Sequence, residues 1–116
     1  VIRLVAALLI LATAQATAGD RRICGEPARN ERGEIIRRAD VLAEFQRLHP
    51  CPATGRQKGA CKGWAKDHII PLACGGCDAV ENLQWLPNAI KSARGTYPKD
   101  RWERRVYCNQ PGRLPE

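Results

Sequence analysis

The 116-residue chain carries 19 Lys and Arg against 12 Asp and Glu, a net charge of +7, together with six cysteines. That length is expected to hold one domain and not two, and no apolar stretch in it approaches the ~20 residues of a membrane-crossing helix. The positive surplus favours a polyanionic partner whose binding weakens steeply with salt. The plainer alternative is a solvated basic surface.

Residues 1–18 place Arg3 before an apolar run from Leu4 to Ala12 and end on the small residues Ala16, Thr17 and Ala18. This is the layout of a secretory signal peptide, and cleavage after Ala18 would leave residues 19–116 as one exported domain. The alternative is an uncleaved membrane anchor. A core this small offsets chain entropy poorly. Cross-links are therefore expected, and all six cysteines follow the leader, so an oxidising compartment allows three disulfides. Proximity in sequence favours Cys51 with Cys61 and Cys74 with Cys77, leaving Cys24 to reach Cys108, although sequence alone cannot choose among the pairings.

Residues 19–34 are polar and turn-rich and read as an ordered loop pinned by Cys24; residues 19–61 form an N-terminal loop and helix segment. A helix is predicted over residues 35–49, with Val41, Phe45 and Leu48 on one face and Pro50 as its stop. The loop CPATGRQKGAC follows, closed by a cysteine at each end. Arg56, Lys58 and Lys62 there are candidates for phosphate contacts, or simply solvated charges. GWAKDHIIPL predicts a strand ending at Pro71 and NLQWL a second, with a turn on Gly75 and Gly76 between them. PNAIKSAR predicts a helix that Pro87 opens and Gly95 stops. A last helix is predicted through PKDRWERRVY, with Trp102 and Val106 inward and Arg101, Arg104 and Arg105 outward.

Asp67 and His68 are the first chemical candidates. Side chains of successive strand residues point to opposite faces, so the pair can serve one site only if the backbone bends at the strand end. With such a bend the carboxylate can hold a divalent cation while the neutral imidazole takes a proton from water, the arrangement phosphodiester hydrolysis requires. Taken alone, the dipeptide is more simply a hydrogen-bonded core histidine. Its surroundings change that balance. Asp67, His68, Ile69, Pro71, Leu72, Gly75, Gly76, Asp78, Asn82, Leu83 and Gln84 stand in the order and spacing of the HNH endonucleases, which this chain resembles over about residues 62–95. The KDRWERR stretch within the C-terminal helix and tail, residues 96–116, also looks like the helix that follows the motif in one exported-looking subgroup.

The resemblance implies an α+β fold with a small ββα-metal core and flanking helices, cutting DNA, or less often RNA, with one divalent ion. It assigns His68 as general base, Asp67 as metal ligand, and Asn82 as the residue that orients the His-bearing loop through hydrogen bonds. The third family position, usually His or Asn, is here Lys91, which cannot ligate a metal while protonated. Three readings stay open: Asn88, three residues earlier on the helix, supplies the oxygen; Asp67 and water hold the ion while Lys91 lends charge to the transition state; or metal binding is impaired and the protein only binds nucleic acid. Arg94, where the family commonly has Lys, is expected on backbone phosphate.

CGGC, residues 74–77, has three readings of its own. A structural zinc site needs two more ligands, for which Cys51 and Cys61 are the candidates. A redox pair asks for a helix N-terminus, whereas this one lies in an inter-strand loop. Export makes a disulfide the default. The sequence thus leads to a monomeric, disulfide-stabilised nuclease acting on DNA with little base preference, for which magnesium or manganese suits an oxygen-rich site, with zinc and nickel as further options. Its rivals are a catalytically weak nucleic-acid-binding protein, a ribonuclease, and a structural protein with an inert Asp67–His68 pair.

Overall fold

The computed structural model describes Ile10, residues 19–91 and residues 98–108. Within them the chain is a small α+β domain. Strands β1 (Trp64–His68) and β2 (Leu83–Pro87) pair antiparallel, with Trp64 opposite Pro87 and His68 opposite Leu83. Helices α1 (Ala39–Leu48), α2 (Asn88–Lys91) and α3 (Lys99–Tyr107) surround that ribbon. Short 3-10 turns at Leu72–Cys74 and Val80–Asn82 shape the long loop between the strands. No helix among the described residues is long and apolar enough to cross a membrane. The rest of the leader, residues 92–97 and the tail beyond Cys108 lie outside the described residues, and Arg94 with them.

Helix α1 begins four residues later than the sequence pattern predicts. The backbone explains the delay: Ile36 N–H donates to Ala28 O (2.9 Å) and Arg38 N–H to Asp78 Oδ2 (2.7 Å), so those groups are committed outside a helix. The buried face also differs from the expected one. Phe45 is buried, but Leu48 is half exposed, and the residue beside Phe45 on the inner face is Gln46. Its amide Nε2 donates to Arg56 O and Gly59 O, both at 3.1 Å, and so closes the Cys51–Cys61 loop against the helix. Both amide protons thus have partners, whereas the buried Oε1 has none among the described residues, so the loop closure offsets a desolvation cost. Phe45 in turn meets Trp85 of β2 at 5.6 Å between ring centroids, and Trp85 Nε1 donates to His49 O, which docks α1 on the ribbon.

Strand β1 stops at His68 rather than Pro71 because Asn82 captures the next residues. Its Oδ1 accepts from Ile70 N–H (2.9 Å), its Nδ2 donates to Ile70 O (2.9 Å) and Cys77 O (2.8 Å), and its own carbonyl accepts from Ile69 N–H. The side chain is fully buried with donors and acceptor all satisfied. Gly76 lies so close that a Cβ there would sit 2.0 Å from Ile70 O, so only glycine lets the loop fold onto itself.

Three disulfides hold the domain: Cys51–Cys61, Cys24–Cys77 and Cys74–Cys108. The first is the pair expected from sequence. The other two correct the expected Cys74–Cys77 and Cys24–Cys108 pairs. The chain needs CGGC for a wider purpose than closing its own turn. Cys77 follows the Gly-Gly bend and faces the N-terminal segment, whose Ile23 bridges Gly76 and whose Cys24 and Gly25 N–H groups both donate to Gly75 O. Cys74 ends its 3-10 turn and anchors the end of α3. With no free cysteine left, no thiolate remains for a zinc site or a redox pair.

The pairing gives a direct test. Proteolysis of the oxidised protein should yield Cys24-to-Cys77 and Cys74-to-Cys108 peptides, with cleavage between residues 74 and 77 needed to separate them. Replacing Cys74 and Cys108 together by Ser opens a 34-residue loop; the expected loss is about 4 kcal/mol of stability, read from denaturant midpoints.

Candidate active site and its charge network

The two ends of the strand pair differ in character. Asp67 and His68, at the C-terminal end of β1, are sent to opposite sides by strand alternation. The backbone does not bend between them, since both still pair regularly, with Gln84 and Leu83. His68 turns to the loop, where its Nε2 lies 3.0 Å from Asp78 Oδ1. The second oxygen of Asp78 is the one that accepts from Arg38 N–H, so the carboxylate is fixed at both ends. A neutral imidazole facing a carboxylate keeps its proton on that nitrogen, which leaves the lone pair on Nδ1.

Asp67 turns to the helices and is 1% exposed. Its Oδ2 accepts from Gln84 Nε2 (2.9 Å) and lies 2.9 Å from Lys99 Nζ. Its Oδ1 lies 2.9 Å from Lys91 Nζ. Both lysine contacts are short ion pairs, and Lys91 is the only cation on Oδ1 among the described residues. Lys99 is itself 3% exposed. Its ammonium also donates to His68 O (2.9 Å) and to Glu103 Oε2 (2.6 Å), one turn along α3. Lys91, about a third exposed, donates to Asp100 Oδ1 at 3.2 Å.

Burial by itself would raise the Asp67 carboxyl, yet the Gln84 hydrogen bond and the two ammoniums together hold it below the ordinary carboxylate range. For Lys91, burial pulls downward, but pairing with Asp67 and then with Asp100 lifts the ammonium above the usual lysine value. Both groups are therefore charged at neutral pH.

Carboxylate oxygens of Asp67, Asp100 and Glu103 lie within 4.8 Å of one another, a spacing that can hold a metal ion. Hard oxygen donors suit magnesium or manganese, and the only cation on Oδ1 of Asp67 among the described residues is the partly exposed Lys91 ammonium at 2.9 Å. Asn88 does not join the group: it is exposed, and its backbone N–H donates to Gly63 O at the opposite end of the strand pair. Arg56 and Lys58 line an open cleft with Ala43, Arg47 and Gln57, while Lys62 is exposed nearby in sequence.

Sequence reading missed Lys99, Asp100 and Glu103. It placed Trp102 and Val106 inward on α3, whereas Val106 is about half exposed and the inward residues are Lys99, Trp102, Glu103 and Tyr107. The available signal was the Lys99–Glu103 spacing of four, which puts opposite charges on one helix face. Asp78 was recognised only as part of a motif, not as the partner of His68.

Removing one member of a buried charge group leaves the others uncompensated. Lys99→Ala should therefore cost about 3 kcal/mol or more, measured by denaturant unfolding. Because the folded-state pKa of Asp67 is depressed, its contribution is present above the ordinary carboxylate value of ~3.9 and is lost as pH falls below it. The unfolding midpoint of the native protein should drop between pH 5 and pH 2.5 more than that of Asp67→Asn, in which this acid-sensitive part is absent.

Comparison of the chain with protein-family models, with curated proteins and with solved structures gives no match. The functional reading therefore stands on the residues and geometry above.

Proposed function

We propose that this protein is an exported HNH-type endonuclease that hydrolyses phosphodiester bonds in DNA with little base preference. The observation that carries the reading is a single arrangement. Asp67 and His68 are consecutive at the end of β1 with their side chains on opposite faces of the strand, so a phosphate that reaches both must lie across the strand end. The loop that follows is fastened by the buried amide of Asn82. These are three of the eleven positions at which the sequence resembles that family.

In this reading Asp78 holds Nε2–H of His68, and Nδ1 takes the proton from an attacking water. Lys99 keeps the strand end in place through the His68 carbonyl and the Asp67 carboxylate. Lys91, partly exposed beside them, offers positive charge to a phosphate oxygen. A divalent ion held by Asp67 with Asp100 and Glu103 would supply Lewis-acid neutralisation of the scissile phosphate. Backbone phosphates would be gripped by Arg56, Lys58 and Lys62, and by Arg94 beyond α2, through contacts that carry no base information. Three disulfides support an oxidising, extracellular setting, in line with a leader that directs export.

A second reading has one observation in its favour. The ammonium of Lys91 on Asp67 is compatible with a nucleic-acid-binding protein that no longer cuts. Plasmid digestion by oxidised protein with magnesium or manganese separates the two. The nuclease reading expects cutting that chelator stops, and a fall of about 10²-fold or more in rate for His68→Ala with salt-dependent DNA binding retained. Binding without cutting in any of these metals supports the second reading, and cutting of RNA in preference to DNA would change the substrate.

A further inference from the structure

Around Asp67 three carboxylates meet two ammoniums, and the two lysines are not equivalent. Lys99 is 3% exposed and its ammonium is held by three oxygens, through hydrogen bonds to Glu103 Oε2 and His68 O and an ion pair with Asp67 Oδ2. It has no freedom to leave without abandoning a buried charge. Lys91 is about a third exposed and among the described residues contacts Asp67 Oδ1 and Asp100 Oδ1. The contact with Asp100 is a hydrogen bond and the contact with Asp67 is an ion pair at 2.9 Å, so both oxygens become available to another cation once Lys91 leaves.

We infer that Lys91 is an internal stand-in for the divalent cation: its ammonium and the ion take the same place between Asp67 and Asp100, so each excludes the other. The oxygens nearest Lys91 belong to two of the three carboxylates whose spacing suits an ion. An ion bonded to Asp67 Oδ1 at the ~2.0–2.6 Å typical of magnesium or calcium would stand against an ammonium 2.9 Å from the same atom. Like charges at that range repel strongly in a buried setting. Lys91 has an exit to solvent and Lys99 has none, so ion entry moves Lys91 out and leaves Lys99 in place. With no ion bound, Lys91 keeps Asp67 from standing as a lone buried charge, which explains how lysine can occupy a helix position next to a carboxylate and still be compatible with a cation site. Nucleic-acid cleavage enters this inference only as the use to which the ion is put.

The experiment measures ion binding without nucleic acid. Manganese affinity is determined by electron paramagnetic resonance on the oxidised native protein and on Lys91→Gln, Lys91→Arg and Asp67→Asn. Lys91→Gln should bind manganese at least tenfold more tightly than the native chain, Lys91→Arg should not gain, and Asp67→Asn should lose the site. A second measurement uses the native protein alone: saturating magnesium should raise the acetylation rate of the Lys91 amine, mapped by mass spectrometry, and leave Lys99 protected. Equal or weaker manganese binding by folded Lys91→Gln, no manganese binding by any form, or Lys91 labelling unchanged by magnesium would each overturn the inference. Plasmid cleavage plays no part in these readouts, so the inference and the nuclease reading fail independently.

Discussion

The carboxylate of Asp67, buried at the end of a two-stranded ribbon, is the constraint from which the rest of the domain follows. An isolated ionised carboxylate in that position is prohibitively unfavourable, so the chain must bring cations to it. One arrives from α2, directly after the hairpin, and the other from α3, across residues that follow it. Buried ion pairs seldom add net stability relative to well-packed apolar residues. What this one supplies is placement: β1, α2 and α3 have a common centre, and their arrangement is wrong unless all three meet there.

CGGC works towards the same end. A two-stranded ribbon is marginal on its own, and a small domain has little apolar core to steady it. The loop between the strands becomes the hub because Asn82 folds it back on β1, and the two cysteines of that loop reach outwards, one to each flank of the chain. Cys108 fixes the end of α3 on which Lys99, Asp100 and Glu103 depend. The disulfide and the charge network are thus two restraints on one helix, the first limiting the unfolded chain and the second fixing the folded orientation.

Much of this was legible in the sequence. Both strands, all three helices and the loop role of Asn82 follow from hydrophobic spacing, Gly and Pro punctuation and the motif itself. The failures share a cause. Patterns score apolar residues as inside and charged ones as outside, yet Gln46 and Lys99 point inward while Leu48 and Val106 point out. Each inward polar group is held by partners distant in sequence: the carbonyls of Arg56 and Gly59 for the Gln46 amide N–H groups, and the Asp67 carboxylate and His68 carbonyl for Lys99. Such partners are invisible to a local window. The cysteine pairing failed for a related reason, since nearness in sequence says nothing of which way two side chains leave a Gly-Gly bend.

Lys91 stands at the point where the sequence departs from its family resemblance, and the structure gives that departure a physical context. A His or Asn on α2 would face Asp67 as a second neutral donor and leave the carboxylate short of charge in the absence of an ion. A lysine compensates the charge from within, with Asp100 as its second anchor. Compensation from within has a consequence for the neighbouring chemistry: the positive charge beside Asp67 no longer depends on an ion being present. His68 is separate from that exchange, since its ring answers to Asp78 and the loop, and only its backbone carbonyl is tied to Lys99. The strand end therefore keeps its geometry whichever cation lies on Asp67, because the lysine that holds the backbone is not the lysine that can leave.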